Sequence, residues 1–206
     1  MNNSQLMEST EEKDLGVLVN KSLKVGTQCA AAANKGNRTL GMIKRNFTFR
    51  SREVILRLYK SLVRPHLDYA MQTWSPYLEK DKKVLEKVQA RATKLIANIQ
   101  HLPYEERLVK LKLTTLEKRR ERGDLLQTYR IMKQIDKSKP DNYFELARTS
   151  KTRGHSKKLI KTRNRRDIRK YFYSQRVVNG WNKLPQTAID APTLLSFKRQ
   201  LTQLGF

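Results

Sequence analysis

The chain has 206 residues, with 44 Lys and Arg against 19 Asp and Glu and a formal net charge of +25. That length allows one or two hydrophobic cores but is short for a multidomain polymerase or motor. No run of 18 apolar residues exists, so the sequence offers no membrane-spanning helix. Cys29 is the one cysteine, which excludes an internal disulfide and a thiolate metal cage. The polar, acidic start MNNSQLMESTEEKD fits neither a secretory signal nor a transit peptide. These features predict an intracellular protein, nuclear or cytoplasmic. A pI near 10.4 points to a polyanion partner, nucleic acid in preference to an acidic membrane.

In chain order, residues 15–19 (Leu-Gly-Val-Leu-Val) read as one short strand ending at Asn20. The alanine-rich stretch 28–45 predicts a helix, although Gly36 and Gly41 weaken it. Ser51 is placed to cap the next helix, with Glu53 in its first turn. Val54, Ile55, Leu58, Tyr59, Leu62 and Val63 give that helix one apolar face. Pro65 predicts a kink or break, with a second piece running on to Trp74.

The clearest pattern covers residues 79–100. Val84, Leu85, Val88, Ala92, Leu95, Ile96 and Ile99 form an apolar stripe, while Lys80, Lys83, Lys87, Arg91 and Lys94 form a basic one. On a helix the two arcs are centred about 120° apart, so one can pack while the other faces solvent or phosphate.

Pro103 with Glu105 and Glu106 opens a short helix. Thr114-Thr115-Leu116-Glu117 matches a capping box for a long helix reaching about Ile135, although Gly123 and the Lys118-Arg-Arg-Glu-Arg122 run blur its pattern. After a loop near Pro140, residues 150–166 have almost no apolar content and read as loop or irregular β. Two more helices are predicted, from Ile168 to about Trp181 and from Leu194 to Leu204. Leu194, Phe197, Leu201 and Leu204 form the stripe of the second. Charge concentrates here, because residues 148–170 carry 11 basic side chains and one acid, Asp167.

No self-contained active site is visible. His66, His101 and His155 are far apart with no metal-ligand spacing, and neither a Walker A loop nor GxGxxG occurs. Cys29 sits in an alanine-rich helix and reads as a core residue. No catalytic residue, metal or cofactor is therefore assigned. What remains is basic residues interleaved with aromatics. Arg163, Arg165, Arg166, Arg169 and Lys170 lead into Tyr171-Phe172-Tyr173, Arg176 and Trp181. The cations suit phosphates, and exposed aromatics could stack on bases. The competing reading puts Phe172, Val178 and Trp181, at helical spacing, in the core with the cations outside.

Several runs share the order of one family: 12–19 (EKDLGVLV), 50–56 (RSREVIL), 62–69 (LVRPHLDY), 85–94 (LEKVQARATK), 116–125 (LEKRRERGDL), 152–154 (TRG) and 181–185 (WNKLP). Together they resemble the C-terminal part of the reverse transcriptase of non-LTR, LINE-type retrotransposons, most nearly the Jockey/chicken-repeat clade. The resemblance spans nearly the whole chain. It implies that the catalytic aspartates of the palm, including the Tyr-x-Asp-Asp turn, precede the Leu-Gly-Val strand and have no counterpart here. It also implies that residues 1–21 match the last palm strands and 22–100 the thumb, which grips the template–primer duplex. Residues 101–206 would match a basic C-terminal segment that contacts RNA or target DNA, with an irregular loop near 148–166. The family usually has Asp where Asn20 stands, a position outside the catalytic set.

The expectation is thus a mainly α protein: one short N-terminal strand or hairpin, a thumb-like helical bundle and a basic helical C-terminal region. Its function would be that of a catalytically incomplete polymerase remnant, not an enzyme in itself, binding RNA or DNA backbone with low sequence specificity. Alternatives are an interaction or self-association module using the former palm-facing surface, or a mobile-element fossil without a selected function.

Overall fold

The computed structural model describes residues 8–147 and 154–206. Part of the basic tract, with Thr152 and Arg153 of the Thr-Arg-Gly run, lies outside these residues. The protein is mainly helical with one two-stranded antiparallel hairpin, as expected. It divides into two compact units, Met1–Leu113 and Thr114–Phe206.

In the first unit, β1 (Glu11–Asp14) pairs with β2 (Val17–Asn20), Glu11 opposite Asn20. The single strand expected over 15–19 is corrected. Leu15 (φ +44°) and Gly16 (φ +84°) form the two-residue turn, where a tight hairpin needs both central residues at positive φ. The Leu15 side chain is consequently 84% exposed, whereas Val17 is buried. Gln28 ties the hairpin down by accepting from the Leu18 N–H at 2.9 Å.

Helix α1 (Gly26–Asn46) buries Cys29, Ala32, Ala33, Gly36, Leu40 and Ile43, a helical period of small and aliphatic residues. Gly36 marks its closest packing, since a Cβ there would stand 3.0 Å from Val88 Cγ1 and 3.5 Å from Leu67 Cδ2. The glycine that weakened the sequence pattern is what lets the helices approach. Helix α2 (Arg52–Leu58) starts as expected, with Ser51 Oγ accepting from the Val54 N–H.

The irregularity expected at Pro65 takes the form of a widened turn, not a break. A π turn (Tyr59–Val63) precedes the proline, the Arg64 N–H reaches Tyr59 O, and α3 (Arg64–Asp68) continues. A widened turn is one way a helix accommodates a proline's missing N–H. The break comes at Ala70 (φ +50°), before α4 (Met71–Trp74).

Helix α5 (Glu79–Lys94) ends earlier than the predicted 100. Past it Arg50 O takes the Ala97 N–H, and Asn98 (φ +68°) turns the chain. Helix α6 (Tyr104–Leu111) follows with Pro103 at its N-cap. It packs on α5, which is why the first unit runs past residue 100.

The second unit opens with α7 (Leu116–Met132), capped by Thr115 Oγ1 on the Lys118 N–H. The cap lies one residue later than expected, so Glu117 cannot complete a capping box. A 3₁₀ turn (Pro140–Asn142) and an antiparallel bridge between Leu146 and Leu159 lead to α8 (Asp167–Lys170). Then come α9 (Tyr173–Asn182), α10 (Gln186–Ile189) and α11 (Leu194–Gln203). Tyr129 stacks on Phe197 at 4.3 Å between ring centroids, and Trp181, Val178, Leu125 and Leu201 complete the core. Leu204, expected in the α11 stripe, lies past the helix end and is exposed.

The helix expected from Ile168 to Trp181 is instead two. The chain is extended at Phe172 (φ −64°, ψ 148°), and Arg176 Nη1 donates to Tyr171 O at 3.2 Å. Val178 and Trp181 are core as the helical spacing suggested, but Phe172 is 44% exposed. The break takes Phe172 off the face that its spacing assigned to it.

Candidate nucleic-acid interface

The basic stripe of α5 is built by what its other faces do. Leu85, Val88 and Ala92 are buried, while Val84, at the edge of the expected apolar stripe, is partly exposed. Burying one arc fixes the rotation of the helix. Polar links on the flank fix it further: Tyr59 donates to Gln89 Oε1 at 2.6 Å, and Gln89 Nε2 donates to the Tyr104 hydroxyl at 2.9 Å. Tyr104 in turn donates to Glu86. Burial, and after it the bond to Glu86, holds the Tyr104 hydroxyl well above the usual tyrosine range, so it stays a neutral donor. Arg107 from α6 caps the arrangement by donating to Ala90 O and Thr93 Oγ1.

With the helix so held, Lys80, Lys83, Lys87, Arg91 and Lys94 are all exposed along one face. Of the three acids of α5, Glu86 and Asp81 lie off that face, while Glu79, one turn before Lys83, stands at its edge. Glu86 binds Tyr104, and Glu79 pairs with Lys82 at 2.8 Å. That hydrogen bond, with the charges of Lys82 and Lys83, holds the Glu79 carboxyl below its ordinary range. Asp81 is buried, and a Cβ on Gly26 would stand 3.5 Å from its Oδ1, which puts a negative charge at the start of α1. Among the described residues no ion pair neutralises the five stripe cations.

The stripe has a neighbour that the periodicity of α5 did not reveal. Arg91 Nη1 donates to Asn37 Oδ1 at 3.0 Å, joining the stripe to a polar face of α1. There Asn34, Asn37, Arg38, Gly41 and Arg45 line an open depression of about 490 Å³. Asn34, Asn37, Gly41 and Arg45 are spaced three, four and four residues apart, with Arg38 beside Asn37, a second helical face readable in the sequence, but alanine content dominated that stretch. The first unit therefore presents lysine and arginine charge beside asparagine amides.

The second set lies wholly in the other unit. Arg163, Arg165 and Arg166 are on irregular chain before α8, and Arg169 and Lys170 are on α8 itself. All five are exposed, and none forms an ion pair with another described residue. Thr162, Asn164 and Gln175 brace this chain, since Gln175 Oε1 accepts from the Thr162 N–H at 3.2 Å and from Asn164 Nδ2 at 3.2 Å. Below it, Arg176 makes a bidentate pair with Asp124 at 2.8 and 3.0 Å. Burial pushes the Asp124 carboxyl up, opposed by its bonds to Arg176 and by the charge of Arg120.

His155 is buried, as neither of the other histidines is. Its Nδ1 accepts from the Lys157 N–H, so Nε2 is the nitrogen that donates to Trp181 O at 3.0 Å. Burial lowers its pKa, and its role is structural. Among the described residues no three His, Cys, Asp or Glu side chains gather as a metal site would require, and no helix is long and apolar enough to cross a membrane. No family model, curated protein or solved structure matches the chain.

Proposed function

We propose that this chain acts as the thumb and downstream part of a LINE-type, RNA-directed DNA polymerase, holding RNA or DNA through its backbone. The α5 surface carries this reading. Five cations share one exposed face, Glu86 and Asp81 of the same helix are directed away from it, Glu79 at its edge pairs with Lys82, and the opposite face is committed to the core. Such a surface attracts phosphates without reading bases, so binding should tolerate sequence and weaken steeply with salt as counterions are released. On this reading the chain supplies grip and no polymerase chemistry. Filter-binding titrations with RNA, single-stranded DNA and duplex DNA at low salt test the grip, and absence of affinity for all three overturns it. Primer extension by this chain alone is expected to give no product, and synthesis would overturn the catalytic part of the reading.

Leu15 and Tyr69 favour a second reading. They are 84% and 56% exposed, and the Tyr69 hydroxyl donates to Leu15 O at 2.8 Å, so the hairpin end carries an apolar surface. A docking or self-association role fits it. Sedimentation at several concentrations separates the two, because a monomer at every concentration speaks against self-association.

A further inference from the structure

We infer that the surface around Phe172 binds unpaired nucleotides, with the Phe172 ring as a stacking platform for a base. This deepens the nucleic-acid reading above and rests on it. Phe172 and Ile168 are each 44% exposed, one helical turn apart in sequence, within the segment holding Arg163, Arg165, Arg166, Arg169 and Lys170. The Arg169 guanidinium lies 5.8 Å from the Phe172 ring centroid and the Lys170 ammonium 5.2 Å from that of Tyr171. Aromatic faces lined with cations are the chemistry that engages a single strand: the ring takes the base, and the charges take the phosphates on either side. A duplex keeps its bases stacked inside and offers such a ring nothing to stack on.

The backbone that carries the ring is also held in place. Phe172 O accepts from the N–H groups of Gln175 and Arg176, both at 2.9 Å, so the first turn of α9 anchors its backbone. Next to it Tyr173 is buried, and its hydroxyl lies 2.9 Å from Thr128 Oγ1. An exposed ring on a backbone already ordered spends less freedom when a base covers it than one on a mobile loop. The α5 stripe has no such ring among its exposed cations, so the inference assigns the two surfaces different strands: backbone of either kind on α5, unpaired bases at Phe172.

The test is anisotropy titration of the full chain with a labelled 20-nucleotide single strand and a matched 20-base-pair duplex. Phe172→Ala should weaken single-strand binding by about five- to a hundredfold and change duplex binding by less than about twofold. Phe172→Trp should retain single-strand affinity and Phe172→Leu should not, because a ring face and not bulk is required. A 2-aminopurine in the single strand should be quenched by the parent protein and not by Phe172→Leu. Equal weakening of both ligands, or of neither, overturns the inference while leaving the backbone reading intact. A parent chain that binds neither ligand overturns both. If Phe172→Ala instead abolishes cosedimentation with phosphatidylserine vesicles and leaves oligonucleotide binding unchanged, the surface is a membrane contact and the inference fails.

Discussion

Helix α5 and the 163–172 segment carry the same kind of charge on different supports. On α5 the cations recur at helical spacing, and a buried opposite face dictates where they point. In 163–172 they crowd along irregular chain and the four-residue α8, which buries no residue of its own. Their direction there is set from below, by side chains of α7 and α9. Periodic charge is thus oriented by its own helix, whereas clustered charge depends on distant anchors. Substitutions at those anchors should separate the two cases.

The largest effect is expected at Asp124. Asp124→Ala removes the buried carboxylate from the bidentate pair with Arg176, the side chain that also holds Tyr171 O. Breaking a buried pair from one side costs about 3–5 kcal/mol. Urea unfolding followed by Trp181 fluorescence in a Trp74→Phe background reads it, and an unchanged midpoint would remove Arg176 as the anchor of the segment. Gly36→Val is the counterpart on the other support. The added methyls meet Val88, Leu67 and Val63, all fully buried, and overpacking of this kind costs about 1–3 kcal/mol. Trp74 fluorescence in a Trp181→Phe background should show it.

These two sites also mark what the sequence could and could not tell. Apolar periodicity made α5 and its basic face legible, because a repeat of three and four residues encodes orientation by itself. It failed at Phe172, where counting through 168–181 assumed one helix and the chain is extended at Phe172 itself. It failed at Leu15 too, since hydrophobicity suggested a strand residue and the backbone needed a turn. The Arg91–Asn37 link joins residues far apart in sequence, so no local pattern could contain it. Gly36 carried a signal read with the wrong sign. It was an unfavourable helix residue in isolation and a close contact in the fold.

Smaller effects sharpen the contrast. Replacing Lys83 or Arg165 singly by Gln should shift stability by no more than about 0.5 kcal/mol, as both are exposed and neither forms a salt bridge with another described residue. A larger loss in thermal melting would mean that the residue supports structure. His155 adds a pH dependence confined to the second unit. Its folded pKa is lowered by burial, so the unfolded chain binds the proton more readily. The stability it contributes is full above the unfolded pKa of about 6.5 and declines as pH falls below it. His155→Asn should flatten that decline in denaturation midpoints taken through the acid range, and a slope identical to the parent's would clear His155 of the effect.

The central claim is that the α5 face grips phosphate. Duplex affinity of the parent and of a Lys83→Glu, Lys87→Glu, Lys94→Glu variant, measured across a salt series, tests it most directly. The variant should bind more weakly at every salt concentration, with a slope of log affinity against log salt shallower by about 0.9 for each lost phosphate contact. An unchanged slope would contradict it.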